Sequence, residues 1–382
     1  MTVAGRDWFK RNVGYDPIVQ PPPDNTFAFI AAKTRHSDED IQRELIDFDS
    51  EDEAGLRFLA FTTATGLSRF TDIPWPAGLA PQTAAAAGGI PGGPLPKADV
   101  LVVTWTVDEG HALSRVLTPG KDSRNDYLSY THNYTTIAAQ MRPGCPAREA
   151  KRLGAYWMTT IAGKSVVVFK SDSHMSQDGP ELPNRAVWRQ IIEEVQPKLV
   201  ITTGTAGGIG PDVEVGDVVA SPVVRFDCRS KFKKEPFATD DYSSLALNTR
   251  LFAQAEQLFL TNAGQLPKDN PRPPTIILDA PKDLTSSVVT TDFFGFDTSD
   301  DHYKLKDLGA VSEMGDAVLG LVAQDLGAAA PSWVCVRNVS DPQIKAEGTL
   351  RDQASLAAQI YKAYGRWSSV CSAIVCWALI AA

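Results

Sequence analysis

Residues 199–208 read LVITTGTAGG, and residues 215–221, shortly after them, read VGDVVAS. A run of apolar and β-branched residues that ends in closely spaced glycines predicts a buried strand leading into a glycine turn. Glycines at the carboxyl end of a parallel strand let the backbone approach a ligand, and free amides there suit anionic or hydroxyl-rich groups. A lone pair of glycines is more commonly a plain turn, so the surrounding chain decides what this stretch means.

The flanking sequence alternates short β-branched runs with helical segments. Runs at 100–104, 165–169 and 334–339 are separated by helical patterns such as 184–195. This alternation predicts an α/β fold of three layers, with a mixed, mostly parallel central sheet flanked by helices. The apolar run that begins at Val370 is too short to span a bilayer and predicts a helix packed on the core.

Composition divides the chain into two parts. Residues 1–96 contain a triple proline, an acidic run at 47–53 and a stretch rich in Ala, Gly and Pro at 84–96. They predict an N-terminal extension and linker, followed by a catalytic domain over 97–382. Residues from about 228 to 285 predict an insertion that forms either a binding wall or lid, or a neutral surface elaboration.

The charge and cysteine content narrow the classes of partner. A net charge of −9 over 382 residues argues against binding of duplex nucleic acid and favours a small-molecule substrate. Charged residues interrupt the first 13 residues, so they do not form an export signal, and we expect a cytoplasmic protein. The five cysteines show neither CxxC pairs nor His-flanked spacing, so they predict reduced, structural thiols and neither a metal site nor a cofactor.

Two further candidate segments lie near the C-terminus. Residues 312–316 read SEMGD and are predicted to open a helix, and residues 337–342 read RNVSDP and are predicted to end a buried strand. A carboxylate at the end of such a strand lies where ligands bind in α/β sheets, which makes Asp341 a stronger candidate than a surface acid. The alternative for Asp341 is a helix N-cap.

Together these segments resemble the nucleoside phosphorylase superfamily, and within it the methylthioadenosine and S-adenosylhomocysteine nucleosidases more than the phosphorylases. The resemblance covers about residues 98–382. It is carried by the first strand through Glu109, by GTAGG with VGDVVAS, by TTDFF at 290–294, and by SEMGDA with VRNVSDP.

The resemblance implies a role for each matching residue. Asp341 corresponds to the acid that protonates purine N7, and Ser340 orients it. Glu109 corresponds to the carboxylate that places or activates the attacking water beside an oxocarbenium-like sugar. Phe294 corresponds to an aromatic ring stacked on the base, and Met314 to an apolar contact beneath the ribose. Backbone contacts to the substrate are expected from Thr205, Ala206, Gly207 and Gly208.

One position departs from the family pattern. Family members usually read Glu-Met-Glu, and the second Glu grips the ribose hydroxyls, whereas this chain has Gly315 there and Asp316 next. Three alternatives remain: Asp316 or Glu313 takes over this role, the ribose is held differently, or the site binds a nucleotide without cleaving it.

A basic segment follows VGDVVAS and includes Arg225 and Arg229. It predicts either a site for the 5′-phosphates of AMP or ATP, or a solvated loop. His174 is a candidate for contact with ribose or phosphate, its alternative being a polar structural residue. Together, the GTAGG stretch, the basic segment and residues 172–177 resemble the nucleotide-cleaving nucleosidases of bacterial antiviral defence.

The sequence therefore predicts a purine N-glycosyl hydrolase that releases free base and ribose or ribose phosphate. A phosphate-dependent purine nucleoside phosphorylase is the first alternative, but residues 119–124 are only faintly similar to a phosphate loop. A non-catalytic nucleotide sensor is the second alternative. The resemblance also implies a homo-oligomer.

Overall fold

The structure, a computed structural model, describes residues 72–84, 92–121, 126–175, 181–210, 213–268, 270–278, 288–293, 305–341 and 350–382. Within these ranges the strands form one sheet. The strands are β1 (Gln82–Thr83), β2 (Val100–Thr104), β3 (Leu128–Tyr130), β4 (Gly154–Ile161), β5 (Lys164–Ser171), β6 (Leu199–Gly208), β7 (Val218–Ser221), β8 (Val223–Asp227), β9 (Asp241–Ser243), β10 (Ile276–Ile277), β11 (Val288–Thr291), β12 (Val311–Glu313) and β13 (Ser332–Asp341). The helices are α1 (Val107–Leu117), α2 (Tyr134–Ala138), α3 (Pro146–Ala150), α4 (Asn184–Val195), α5 (Phe252–Phe259), α6 (Asp316–Leu326) and α7 (Leu350–Ala381).

The sheet is mixed: most of its central pairs are parallel, but β6 and β12 pair antiparallel. β6 pairs in parallel with β2 and β13, β2 with β5, and β11 with both β8 and β12. Antiparallel pairs, such as β4 with β5 and β8 with β9, extend the sheet toward its two edges. The predicted α/β fold with a mixed central sheet is confirmed.

Helices cover both faces of this sheet. On one face, α1, α5 and the buried second half of α7 pack over apolar residues of β2, β6 and β13. On the other face, α4 and α6 pack against each other and the sheet. The predicted C-terminal helix is thus confirmed as a core helix, because its residues from Trp367 to Ala381 are buried.

The glycine-rich stretch differs from the predicted turn. Residues 204–208 continue β6, because β13 runs beside β6 from the Ser332–Leu199 pair to the Asp341–Gly207 pair. The glycine at 204 is required by close packing, since a Cβ there would lie 2.6 Å from a carboxylate oxygen of Glu109. Residues 312–316 also differ from the prediction: β12 ends at Glu313, and α6 begins at Asp316.

Part of the predicted N-terminal extension packs on the sheet. β1 pairs with β4, and the Trp75 ring lies 4.8 Å from that of Trp377 in α7. The Trp377 indole donates a hydrogen bond of 2.7 Å to the carbonyl of Leu79. The boundary at residue 96 and the insertion at 228–285 stay predictions.

All five cysteines are buried free thiols. No helix in the described ranges is long and apolar enough to cross a membrane. Among the same residues, no group of three or more His, Cys, Asp or Glu side chains is arranged to hold a metal ion.

Candidate active site

A cavity lies at the carboxyl ends of the parallel strands β2, β6 and β13, and Thr291 and Glu313, which end β11 and β12, also line it although these two strands run antiparallel to β6. Parallel strands bring their carboxyl ends to one edge of a sheet, which is where α/β folds place ligands. The cavity is lined by Trp105, Thr106, Glu109, His174, Thr205, Ala206, Gly207, Thr291, Ser312, Glu313, Met314, Gly315, Arg337, Ser340, Asp341 and Tyr361.

Most of the predicted site residues meet in this cavity. Those on its wall are Glu109, His174, Thr205, Ala206, Gly207, Glu313, Met314, Ser340 and Asp341. Gly208, Asp316, Arg225 and Arg229 do not line it. Phe294 lies outside the described residues.

Asp341 is the last residue of β13 and is buried. The Ser340 hydroxyl donates to Asp341 Oδ1 at 2.7 Å and also lies 3.3 Å from the carbonyl of Ala206. Burial raises the pKa of Asp341 to about 6, although the hydrogen bond from Ser340 opposes this change. A carboxyl with this pKa is protonated in a useful fraction of molecules near neutral pH.

The surroundings of Glu109 favour the ionised carboxylate, whereas those of Asp341 favour the protonated carboxyl. Its Oε2 accepts from Thr104 Oγ1 and from the amides of Trp105 and Thr106, and its Oε1 accepts from the amide and hydroxyl of Thr205. Burial favours the neutral form, but Arg337 and these donors outweigh it and lower the pKa of Glu109. Glu109 also closes the capping box at the start of α1 with Thr106. It is therefore a fixed, ionised carboxylate.

Arg337 is a buried cation of the site that the sequence prediction did not include. Its guanidinium donates two hydrogen bonds to Asp316, lies 3.1 Å from a carboxylate oxygen of Glu313, and lies over the Trp105 ring at 4.6 Å. Burial opposes its charge, but Asp316 and Glu313 outweigh burial and raise the pKa of Arg337. The sequence signal is an arginine directly after the apolar run 333–336 of a buried strand, because a buried charge requires partners.

Glu313 and Asp316 are both engaged inside the protein. Glu313 accepts hydrogen bonds from the amides of Gly315 and Asp316 and from the Thr290 hydroxyl, so its carboxylate satisfies backbone N–H groups at the start of α6. Burial and the charge of Asp316 raise the pKa of Glu313 to about 7, while Arg337 opposes them. The carboxylate of Asp316 is paired with Arg337.

Gly315 leaves room for an aromatic wall. A Cβ at this position would lie 3.1 Å from Cζ2 of Trp105, which is tighter than ordinary packing. A side chain at 315 would therefore require the indole to shift by a few tenths of an ångström.

His174 lies on the cavity wall as a half-buried, neutral side chain. Burial lowers its pKa to about 4, and the charges of Arg337 and Lys231 act in the same direction, while Glu109 opposes them. A neutral imidazole offers one N–H donor and one acceptor at physiological pH.

The two arginines of the basic segment face carboxylates. Arg225 lies 3.7 Å from Asp241, and Arg229 forms an ion pair of 2.7 Å with Asp227. Arg229 also lies 5.7 Å from the centre of the Phe293 ring. The structure therefore does not bring these arginines onto the cavity wall.

A family profile described as the phosphorylase superfamily matches residues 131–376. The chain belongs to the phosphorylase superfamily. The residues that match the superfamily profile include the strands β6, β12 and β13, and therefore Glu313, Arg337 and Asp341.

Individual relatives match more weakly. A stretch of 36 residues, 9% of this chain, is 58% identical to the 5′-methylthioadenosine/S-adenosylhomocysteine nucleosidase of Chromohalobacter salexigens, and the chain spans 15% of the length of that curated relative. Among solved structures, the nucleosidase of the same name from Neisseria meningitidis is 16% identical, with a TM-score of 0.43, over 74% of this chain and 99% of the other. Futalosine hydrolase of Helicobacter pylori is 11% identical, with a TM-score of 0.42, over 73% and 96% of the two chains.

Proposed function

We propose that this chain hydrolyses the N-glycosidic bond of a purine nucleoside or nucleotide and releases the free base with ribose or ribose phosphate. The observation that carries the proposal is Asp341, a buried carboxyl on the cavity wall whose pKa is raised to about 6. General acids work best when their pKa lies near the operating pH. The curated nucleosidase relative supports the same reaction class.

In the proposed reaction Asp341 protonates purine N7. The bond between C1′ and N9 breaks, its electron pair moves into the base, and the base leaves as a neutral molecule. Water adds to C1′ and releases a proton to solvent. Asp341 then takes up a proton from solvent, which returns it to its protonated form. Ser340 holds the carboxyl in position through its hydrogen bond to Oδ1.

Glu109 supplies negative charge beside the sugar in this proposal. A carboxylate that is already ionised and fixed by donors stabilises developing positive charge without reorganising. Its lowered pKa makes it a weak base, so we assign it to electrostatic stabilisation and to placing the water rather than to removing a full proton. The Thr205 amide and hydroxyl fix its Oε1 at 2.8 Å each.

A non-catalytic nucleotide sensor is the second candidate. The observation that favours it is the local structure at Gly315, where Trp105 packs closely and the neighbouring Asp316 is paired with Arg337. Such a site lacks an acidic group at 315 to hold the sugar. This candidate requires tight binding without turnover.

Product analysis tests the proposed function directly. The purified chain is incubated with ATP, AMP, adenosine, inosine and methylthioadenosine, with and without inorganic phosphate, and the products are separated chromatographically. Free base without phosphate is the expected result. Release only with phosphate, together with ribose 1-phosphate, means a phosphorylase, and binding without release means a sensor.

The pH dependence gives a second test. Because protonated Asp341 is the reactive form, kcat/KM should be highest below about pH 6 and fall about tenfold per unit at higher pH. The measurement is initial rates of base release between pH 5 and 9. Glu313, with a pKa of about 7, titrates in the same range. The pH profile of the Asp341→Asn variant therefore serves as the reference, because any pH dependence that remains in it does not come from Asp341. A profile that stays flat from pH 6 to 8.5 contradicts the assignment of the acid.

The homo-oligomeric assembly, the cytoplasmic location and the role in antiviral defence stay predictions from the sequence.

A further inference from the structure

A second cavity adjoins the candidate active site. It is lined by Trp105, Thr106, Pro146, Lys170, Ser171, Asp172 and His174. Trp105, Thr106 and His174 also line the first cavity, so the two spaces share a wall. Asp341 and Glu109 belong only to the first cavity. A ligand that spans both spaces therefore keeps its reacting end beside Asp341 and places its far end beside Lys170.

The second cavity carries an excess positive charge. Asp172 is buried between two cations: Arg152 lies 2.6 Å from its Oδ2, and Lys170 binds its Oδ1. Burial favours the neutral acid, but these two cations outweigh it and lower the pKa of Asp172. The three groups together carry one net positive charge, and Lys170 and Asp172 both line the cavity.

The charge pattern distinguishes between classes of ligand. A zwitterionic tail requires an acceptor for its ammonium group, but the carboxylate of Asp172 is already bound by Arg152 and Lys170. A phosphate instead requires cationic N–H donors, and the ammonium of Lys170 has three N–H groups, one of which donates to Asp172. The arginines of the basic segment, by contrast, do not line either cavity.

We propose that this second cavity is a subsite for the 5′-phosphate of a nucleotide whose purine lies against Asp341. The inference rests on the proposed function and narrows its substrate class to nucleotides over nucleosides. Inorganic phosphate shares the chemistry of this ligand, but a nucleophilic phosphate must reach C1′ in the cavity of Asp341 and Glu109. The second cavity contains neither residue, which assigns it to the non-reacting end of the substrate.

The test compares AMP with adenosine in the Lys170→Met variant. The aliphatic part of Lys170 packs closely over Gly110, since a Cβ added to that glycine would lie 3.2 Å from Lys170 Cγ. Methionine keeps this aliphatic contact and removes the charge. We expect kcat/KM for AMP to fall about 10- to 100-fold, and that for adenosine to fall several-fold less. Lys170→Arg should recover most of the activity on AMP. The matched control is Lys97→Met, because Lys97 is exposed and precedes β2, at the opposite end of that strand from the cavity.

Three results overturn the inference. The first is a wild-type enzyme that cleaves adenosine as efficiently as AMP. The second is a Lys170→Met variant that loses both activities equally. The third is stimulation of adenosine cleavage by inorganic phosphate that disappears in Lys170→Met, which makes the cavity a site for the nucleophile.

A binding measurement separates failure of the subsite from failure of the proposed function. If no substrate releases base, calorimetric titration of wild type and Lys170→Met with AMP and adenosine still tests the subsite. Tighter binding of AMP that is lost in Lys170→Met supports it, and equal binding of the two ligands contradicts it. Thermal unfolding of each variant measures whether the fold stays stable when Asp172 is paired with Arg152 alone.

Discussion

Replacing Asp341 with asparagine is expected to lower kcat for base release by about 10²- to 10⁴-fold, the usual contribution of a general acid. The amide has nearly the same shape and can still accept the hydrogen bond from Ser340, but it cannot transfer a proton to N7. Binding of the substrate should change little, because the lost step occurs in the transition state. The measurement is the rate of base release at saturating substrate, with KM determined in parallel.

The same variant should not be less stable than wild type. The folded-state pKa of Asp341 is raised from 3.8 to about 6, so its burial costs up to about 3 kcal/mol of stability once the pH exceeds 6. That cost is absent below pH 3.8, where the carboxyl is protonated in both states. Asparagine removes the charge, and the unfolding midpoint at pH 8 should therefore be equal to or higher than that of wild type.

Unchanged turnover in a folded Asp341→Asn protein would falsify the assignment of the acid.

Replacing Arg337 with methionine is expected to lower the free energy of unfolding by about 3 to 5 kcal/mol at pH 7.5. Arg337 is buried and holds Asp316 and Glu313, and its charge also lowers the pKa of Glu109. Without it, these carboxylates remain in a medium that solvates them poorly. Urea unfolding measures the change.

A surface ion pair provides the control for this variant. Arg185 bonds to Asp325 through two hydrogen bonds, but its side chain is 43% exposed. Arg185→Met should therefore cost no more than about 1 kcal/mol. The loss in Arg337→Met should shrink at pH 5, because carboxyls whose pKa rises on removal of the cation become protonated and no longer require it. Equal losses for the two arginines would mean that Arg337 is not a buried counter-charge.

Local sequence determined much of the fold. The run at 100–104 forms β2 and the amphipathic segment at 184–195 forms α4, each with the predicted limits. Both depend on short-range periodicity, which one segment expresses without help from the rest of the chain. Residues 204–208 were different: glycines favour a turn locally, but a parallel neighbour, β13, paired with them over the whole length of the strand.

The predicted chemistry came from motifs, and the structure supplied its environment. The positions of Glu109, Met314, Ser340 and Asp341 followed from matching segments, and all four side chains lie on one cavity wall. Their spacing could not reveal that Asp341 is poorly hydrated while Glu109 accepts five hydrogen bonds. Those differences separate a proton donor from a fixed negative charge, and they depend on the residues that surround each carboxyl.

The sequence by itself determined the α/β class and several strands and helices of the sheet region, and it nominated the two carboxylates of the candidate site, because periodicity and short motifs are local properties. Only the tertiary structure decided that Arg337 joins Glu313 and Asp316, and that Lys170 rather than Arg225 or Arg229 faces a cavity beside the site. The groups within a few ångströms of a cation decide whether it pairs with a carboxylate of the protein or faces a space for a ligand. Residues far apart in the chain provide those neighbours, since electrostatic interactions depend on distance in space and on burial.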